Sequence, residues 1–313
     1  MIAWVLVAQA AELVRVEGEH MGTPWEVVVW ADDVAAAQAG AEAALAEVAR
    51  IEALVSSWRP EADLGRVNAA AGAEVAVSDE TFGLLVRAVA LCEATGGAFD
   101  PSFGPLGALW RWEEGFTVPG EAEIAEARAL VDCERIQLDG GTVRLEPGMS
   151  VGLGATAKGY AVDRASALLV ERGLGDHVVN GGGDLLARGD KGGAAWTTGV
   201  QHPRGELGEL FAVISARDEA VVSSGDYARY VEHGGKRYGH VVDPRTGRPT
   251  EATVAVTVIA PSAELADGLA TSLMVLGPEG VGLLGQHPEV EALLFFADGT
   301  TSMTEGMAAR LGR

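Results

Sequence analysis

The chain has 313 residues, with 45 acidic and 23 basic side chains and a formal charge of −22 at pH 7. A field of this sign repels phosphates and anionic headgroups over a Debye length of roughly 10 Å, so we expect no nucleic acid or membrane-surface partner. Apolar residues make up 48% of the chain and occur along its whole length, which predicts one compact body. An anionic substrate must then be held locally, by a few basic groups, backbone amides or a bound cation.

The first ten residues combine an apolar run with the ending Ala8-Gln9-Ala10, which has the small-x-small form of a signal-peptidase site. The stretch is short and no Lys or Arg precedes the apolar run, so residues 1–12 are either a signal peptide or an N-terminal strand. We expect export to the periplasm or another extracytoplasmic side, with the cytoplasm as the alternative, and a single domain over 13–313. No later stretch approaches the roughly 18 uninterrupted apolar residues of a membrane span, so we expect no stable membrane insertion.

Helical spacing of apolar residues predicts helices along the chain. They cover residues 32–55, 78–94, 157–172 and 262–276. Ser78 and Ser262 are favourable N-caps, and Gly96 and Gly173 are favourable stops. These signals are local and set the expected helix ends.

Runs of β-branched and apolar residues predict strands between the helices. They cover residues 22–30, 178–179, 197–201, 211–216, 220–222, 253–259 and 290–296. The strand at 178–179 ends in Asn180-Gly181-Gly182-Gly183-Asp184, a glycine turn that permits close approach of another backbone. Because strand runs outnumber the strand-helix-strand alternations, the pattern predicts an α+β fold rather than a doubly wound parallel sheet.

Cys92 and Cys133 are the two cysteines of the chain, and both lie among apolar neighbours. Buried free cysteine behaves as a small hydrophobe, so we expect two buried thiols. Two cysteines define neither a zinc site nor a disulfide framework.

The segment Gly152-Leu153-Gly154-Ala155-Thr156-Ala157 has the G-x-G-x-x-A form of a dinucleotide-binding fingerprint and opens a predicted helix. A true fingerprint follows a strand directly, whereas Glu146-Pro147-Gly148 interrupts the chain just upstream. The alternative is a glycine turn packed tightly under the helix. In both cases the backbone amides at the helix start, with Lys158 alongside, can hold a diphosphate.

Asp267 and Thr271 are four residues apart on a predicted helix and therefore share a face. A carboxylate and a hydroxyl there can both reach one hard cation, because Mg²⁺ favours oxygen ligands. Taken alone, the spacing favours an ordinary acidic residue and a packed threonine over a metal site.

Ser224, His240 and Asp243 are the members of a conceivable Ser-His-Asp hydrolase site. No G-x-S-x-G elbow is present, and a His and an Asp three apart in a strand point to opposite faces, which disfavours this interpretation. The other five histidines show no metal-ligand spacing.

Eight motifs follow one another in order along the chain. They are Met21-Gly22-Thr23, Ser57-Trp58 with Asp63-Leu64 and Asn68, Gly97-Ala98-Phe99-Asp100-Pro101, the segment 154–163, Asn180-Gly181-Gly182-Gly183-Asp184, Ser224-Gly225-Asp226-Tyr227, His240-Val241-Val242-Asp243-Pro244, and Ala266-Asp267-Gly268-Leu269-Ala270-Thr271. In this order they resemble the motifs of the ApbE family of FAD:protein FMN transferases, over nearly all of the chain after residue 20. The resemblance implies a single α+β body with T-fold-like mixed sheets and helices.

The resemblance also implies a role for each matching residue. Asp267, Thr271 and the backbone carbonyl of Ala155 fall where the family holds magnesium. Lys158 falls at the phosphate end of FAD, and His240 falls at the family's catalytic histidine. The remaining FAD contacts fall at Met21, Trp58, Ala98, Phe99 and Asp100.

The implied reaction is attack by a threonine hydroxyl on the FMN phosphorus of FAD, with release of AMP. The implied acceptor is a flavoprotein of the Rnf or Nqr type, or a protein with an FMN-binding domain. An FAD pyrophosphatase that gives FMN and AMP is one alternative, and a non-catalytic flavin-binding protein is another.

The chain departs from the family pattern at two positions. Gly152 stands where the family usually has the aspartate of its D-L-G-G-x-x-K-G-Y-A-V-D signature, which alters the hydrogen bonding around the metal. Trp58 replaces the commoner tyrosine, so we expect stacking on the isoalloxazine ring without the phenolic hydrogen bond.

Overall fold

The computed structural model describes residues 11–112, 116–206, 208–227 and 229–312. Residues 1–10 lie outside these ranges, so the interpretation of this stretch as a signal peptide or a strand stays a prediction. The helices are α1 (Val34–Val55), α2 (Asp63–Ala69), α3 (Asp79–Ala94), α4 (Gly104–Leu109), α5 (Glu121–Arg128), α6 (Ala157–Glu171), α7 (Ala263–Leu276) and α8 (Glu305–Arg310), with 3₁₀ helices over Cys133–Arg135 and Gly277–Gln286. The strands are β1 (Glu12–His20), β2 (Thr23–Ala31), β3 (Glu74–Ala76), β4 (Gln137–Asp139), β5 (Thr142–Arg144), β6 (His177–Gly181), β7 (Asp184–Arg188), β8 (Trp196–Gln201), β9 (Leu210–Ala216), β10 (Glu219–Gly225), β11 (Tyr230–His233), β12 (Lys236–Gly239), β13 (Val242–Asp243), β14 (Arg248–Pro249), β15 (Thr253–Ala260), β16 (Glu291–Phe296) and β17 (Thr301–Met303).

An antiparallel sheet of eight strands forms the centre of the fold, in the order β1-β2-β6-β7-β10-β15-β16-β17. Smaller sheets are formed by β3-β5-β4, β8-β9, β11-β12 and β13-β14. Antiparallel strands can be joined by short turns and need no helical crossover, so strands and helices do not alternate regularly along the chain. The architecture confirms the predicted α+β class.

Helices α1, α6 and α7 cover one face of the central sheet. The buried residues of α1 recur at helical spacing, as at Ala37, Ala41, Ala44, Val48 and Ile51. This layer contains the largest hydrophobic core, in which each buried Val, Leu or Ile contributes roughly 1.5–3 kcal/mol relative to exposure. The hairpin β8-β9 covers the opposite face through Trp196 and Ile214.

Helices α6 and α7 approach each other closely at their first turns. A Cβ on Gly159 would lie 2.2 Å from the carbonyl oxygen of Ala263, so glycine is required at this contact. The Asp163 carboxylate accepts hydrogen bonds from the backbone N–H groups of Ala263 at 2.8 Å and Glu264 at 2.9 Å. It satisfies two free amides at the start of α7 and fixes the position of one helix relative to the other.

Helix α7 and the 3₁₀ helix after it form a stretch, Ala263–Gln286, that is long and apolar enough to cross a membrane. The stretch is more than half buried inside the fold, and α7 packs against β10 and β15. This packing accounts for its apolar composition, which is that of a core helix.

The prediction of two free buried thiols is wrong, because Cys92 and Cys133 form a disulfide. Their Cα atoms lie 6.5 Å apart although 41 residues separate them in the sequence. The pairing arises because the 3₁₀ helix that begins at Cys133 packs against α3, which carries Cys92. Apolar neighbours surround a buried disulfide as they surround a buried thiol, so the local sequence could not distinguish the two.

Candidate active site

The glycine-containing loop at 151–156 leads into the N-terminus of α6. The N–H of Gly152 donates to the carbonyl of Pro101 at 2.9 Å, which joins this loop to the one that carries Asp100. In the described part of the chain no strand runs directly into the loop, since β5 ends at Arg144. The dinucleotide-fingerprint alternative is therefore wrong, because that motif lies at the end of a parallel strand.

Lys158, Asp184 and Asp267 form a charged cluster at the start of α6. The Lys158 ammonium lies 2.8 Å from Asp184 Oδ2 and 3.2 Å from Asp267 Oδ2. The N–H of Gly159 also donates to Asp267 Oδ2, at 3.2 Å. Both aspartate side chains are 3% exposed, whereas the Lys158 side chain is 26% exposed. Asp267 therefore lies at the positive end of the α6 dipole, and Lys158 is the member of the cluster that reaches solvent.

The charged cluster shifts the pKa values of Lys158 and Asp184. Burial alone would lower the pKa of Lys158, but Asp267 and Asp184 raise it above its usual value. Burial raises the pKa of Asp184, and the neighbouring Asp267 raises it further, while Lys158 acts in the opposite direction. Lys158 consequently stays protonated at neutral pH and can bind a phosphate oxygen.

Asp267 and Thr271 lie one turn apart on α7, as their spacing predicted. The loop that carries Ala155 packs against the same helix, because a Cβ on Gly268 would lie 3.3 Å from Thr156 Cγ2. The predicted ligands are thus a carboxylate, a hydroxyl and a backbone carbonyl. All three supply oxygen, which Mg²⁺ prefers, so the residues present fit this cation.

Hydrogen bonds to the Asp100 side chain fix the loop that carries Ala98, Phe99 and Asp100. Asp100 Oδ1 accepts hydrogen bonds from the N–H and hydroxyl of Ser102 at 2.7 and 2.6 Å, and Asp100 Oδ2 accepts one from the N–H of Cys133 at 3.1 Å. Burial raises the pKa of Asp100. Ala98 and Phe99 are buried, and the Phe99 ring belongs to the main core. The Cys92 disulfide therefore braces the base of this loop.

Trp58 and Met21 contrast with that buried loop. Trp58 is 86% exposed, which excludes core packing as the reason for a tryptophan here. Met21 occupies the turn between β1 and β2 with a φ of 52°, and it packs partly against the main core. Among the described residues neither side chain makes an ion pair or hydrogen bond with the charged cluster.

His240 lies in a bend between β12 and β13, not inside a strand as the sequence predicted. Its Nδ1 lies 3.2 Å from the carbonyl oxygen of Arg229. Burial lowers the pKa of the His240 imidazole, and the charges of Arg229 and Lys158 lower it further. The ring is therefore neutral at pH 7, and when Nδ1–H donates to the Arg229 carbonyl, Nε2 is left to accept a proton.

The Ser-His-Asp alternative is wrong. The carboxylate that such a site requires, Asp243, accepts hydrogen bonds from the N–H, Nε and Nη2 of Arg245, each at 2.9 Å. His240 instead faces the backbone of Arg229.

Comparison with known sequences decides the family. The sequence model of the ApbE family matches residues 21–294, most of the chain. The chain belongs to the ApbE family. A protein from Klebsiella pneumoniae named FAD:protein FMN transferase is 35% identical over 274 residues, which cover 84% of this chain and 78% of that protein. A Treponema pallidum protein of the same name is 36% identical over 283 residues, covering 83% of this chain and 78% of that protein.

Solved ApbE structures have the same fold. The ApbE protein from Thermotoga maritima superimposes with a TM-score of 0.89 at 31% identity, covering 96% of this chain and 99% of that one. The flavinyl transferase ApbE from Pseudomonas stutzeri gives a TM-score of 0.86 at 30% identity, covering 97% of this chain and 98% of that one. This ApbE chain therefore has the same α+β fold as the solved ApbE structures.

Of the three residues in the charged cluster, Asp184 is the one to which the sequence motifs assigned no role. The available signal was its position directly after Gly181-Gly182-Gly183. Gly182 and Gly183 have φ values of 63° and 104°, so they form the tight turn that starts β7 at Asp184.

Gly152, where the ApbE signature has aspartate, is not required by the backbone. A Cβ there would meet no atom within 4 Å, and Gly152 is not among the glycines with positive φ. The site therefore has room for a longer side chain at this position.

Proposed function

We propose that the chain is a magnesium-dependent FAD:protein FMN transferase. It moves the FMN half of FAD to a threonine hydroxyl of another protein and releases AMP. The observation that carries this proposal is the cluster of Lys158 with two buried carboxylates, beside a loop and a helix that offer further oxygen ligands. The names of the similar proteins support the same activity.

Asp267, Thr271 and the carbonyl of Ala155 would hold Mg²⁺. The bound cation would neutralise charge on the diphosphate, which is the main electrostatic requirement of phosphoryl transfer. The Lys158 ammonium binds a phosphate oxygen from the same side, because it is the accessible positive group of the cluster. These local positive charges offset the repulsion of an anionic substrate by a chain of charge −22.

Trp58 acts on the flavin ring, and His240 acts on the attacking hydroxyl. The exposed indole of Trp58 stacks on the isoalloxazine ring, and the loop around Asp100 supports the flavin. His240 Nε2 removes the proton of the attacking hydroxyl, since the neutral imidazole has a free lone pair when Nδ1 donates to Arg229. The threonine oxygen then bonds to the FMN phosphorus, and the bond from that phosphorus to the AMP oxygen breaks.

The acceptor would be a threonine-bearing flavoprotein domain, of the Rnf or Nqr type or with an FMN-binding fold. We place the enzyme on the extracytoplasmic side. The Cys92–Cys133 disulfide supports this location, because disulfides persist in oxidising compartments and are rare in the cytosol. Fractionation of cells that express the full chain tests it, since a protein found wholly in the cytoplasm contradicts export.

Incubation with FAD and Mg²⁺, with and without candidate acceptor domains, tests the activity. A fluorescent acceptor band on a denaturing gel, together with released AMP, is the expected result. AMP with free FMN in both incubations would identify an FAD pyrophosphatase instead. FAD that stays bound and intact would identify a flavin-binding protein.

A further inference from the structure

Asp184 lies on the face of the central sheet that the helices cover. It pairs in register with Val222 of β10, and directly opposed residues of an antiparallel pair point to the same face. Val222 belongs to the core under α6 and α7. The turn through Gly182 and Gly183 thus directs a carboxylate from the sheet toward the start of α6.

Lys158 and Asp267 alone would cancel each other's charge. The resulting ion pair would compete with a divalent cation for the Asp267 carboxylate, and its ammonium would repel that cation. Asp184 changes this balance, because with both carboxylates ionised the one positive and two negative groups give the cluster a net negative charge. The Lys158 ammonium is also closer to Asp184, at 2.8 Å, than to Asp267, at 3.2 Å.

We propose that Asp184 is a positioning residue that draws the Lys158 ammonium away from Asp267. Asp267 is then left to bind the divalent cation while Lys158 faces the diphosphate of FAD. The inference rests on the proposed function, because the cation is the one used in flavin transfer. It gives the Asp184 carboxylate a task that neither Lys158 nor Asp267 can perform: it allows a lysine and a divalent cation to share one site.

Cation affinity tests this inference without any turnover. Mn²⁺, a paramagnetic substitute for Mg²⁺, is titrated at about pH 8 into the parent, Asp184→Asn, Lys158→Met and Lys158→Met/Asp184→Asn, with free Mn²⁺ followed by electron paramagnetic resonance. We expect Asp184→Asn to weaken Mn²⁺ binding about 10- to 100-fold, the usual effect of removing a group that orients a metal ligand. We expect the double variant to return to within about threefold of the parent, because it again has one more negative than positive group.

Recovery in the double variant separates positioning of Lys158 from direct binding of the cation by Asp184. If Asp184 were itself a cation ligand, removing Lys158 as well would not restore Mn²⁺ affinity. Asp63→Asn is the matched control, since Asp63 is a buried aspartate that pairs with Arg66 outside the cluster, and its Mn²⁺ affinity should equal that of the parent. If Asp184→Asn does not fold, the double variant still permits a result that overturns the proposal, because replacing both partners of an ion pair is much less costly than replacing one.

The outcomes distinguish this inference from the proposed function. Parental Mn²⁺ affinity in Asp184→Asn, or a double variant that still binds more than about tenfold weaker than the parent, would overturn the role of Asp184. The cation site would nevertheless stand if Asp267→Asn lost Mn²⁺ binding in the same titration. A parent that binds no Mn²⁺ with or without FAD would overturn both.

Discussion

The two sides of the candidate active site differ in how they are held. On one side, Asp184 and Asp267 are 3% exposed and are fixed by the sheet, by α7 and by the first turn of α6. On the other, Trp58 is 86% exposed and His240 lies in a bend between two short strands. The charged half is thus built into the core, whereas the half proposed to meet the flavin ring and the acceptor combines an exposed indole with a half-buried imidazole, both outside regular helices and strands. Substitutions in the charged half should therefore lower the rate of transfer, and those in the second half should separate FAD binding from transfer.

Asp267→Ala should have the largest effect. The buried carboxylate is the one protein charge among the three predicted magnesium ligands, and a catalytic metal contributes several kcal/mol to the transition state. We expect flavin transfer in Mg²⁺ to fall by about 10³-fold or more, and by less in Thr271→Ala, which removes a neutral ligand. The measurement is the initial rate of acceptor flavinylation as Mg²⁺ is varied. Parental turnover by Asp267→Ala would remove this residue from the metal site.

His240→Ala should separate FAD binding from chemistry in the second half of the site. General-base catalysis contributes about 10² to 10⁴ in rate, so we expect transfer to fall by that factor while FAD affinity stays near the parental value. In the parent, transfer should decline only as pH falls below the usual histidine value of 6.5, because burial lowers the pKa of His240 and the proton-accepting form persists to lower pH.

Titration of FAD and the rate of covalent transfer, measured over the same pH range, check both expectations. A His240→Ala enzyme that transfers within about threefold of the parent would exclude a general base at this position.

His177 is a buried polar side chain outside the candidate active site. Its substitution tests whether replacing any buried polar group lowers flavin transfer, or only replacing one of the charged cluster. His177 is fully buried, with Ser166 Oγ at 2.8 Å and the Leu174 carbonyl at 2.7 Å, and burial lowers its pKa from 6.5 to about 4. Between these pH values the unfolded chain binds a proton that the folded chain does not. The free energy of unfolding should therefore fall by about 3 kcal/mol as pH drops through that window.

His177→Gln should lose this pH dependence but keep flavin transfer at pH 8 within about threefold of the parent. Urea unfolding at several pH values measures how the free energy of unfolding depends on pH. Burial raises the pKa of Asp163 to about 6, so this group makes the free energy of unfolding rise as pH drops. Because Asp163 is present in the parent and in His177→Gln, its contribution cancels when the two are compared. An unchanged slope in His177→Gln would show that the histidine is not the titrating group.

Trp58→Leu should have the smallest effect. Aromatic stacking contributes about 0.5–1.5 kcal/mol beyond area burial, so FAD affinity should fall by up to about tenfold. Quenching of tryptophan emission by FAD should fall with it, whereas Trp30→Leu, at a partly buried tryptophan on β2, should keep the quenching. Undiminished quenching in Trp58→Leu would place the flavin elsewhere.

The sequence predicted those parts of the fold whose signals are local. Helices α1, α3, α6 and α7 begin and end within two residues of their predicted bounds, because caps such as Ser78 and Ser262 act on the adjacent turn. Among the strands of the central sheet, β1, β7 and β17 were not predicted. β1 and β17 lie at the edges, where pairing with a single neighbour decides the structure, whereas β7 lies inside the sheet and depends on pairing with both β6 and β10.

Contacts between distant segments were beyond the reach of sequence patterns. The residues of the charged cluster come from α6, β7 and α7, and only folding shows that Asp184 reaches Lys158. Motif order brought Lys158 and Asp267 into the predicted site but assigned no partner to either. The disulfide was missed for the same reason, since its two cysteines lie 41 residues apart.

The Cys92–Cys133 bond makes the segment between them a covalently closed loop. A protease that cuts once between these residues would not separate the chain into two molecules. The nicked protein would migrate as one band on a denaturing gel without reductant and as two bands with it. Limited proteolysis read under both conditions therefore reports whether a given preparation carries the bond, and a nicked chain can still hold its two pieces in place.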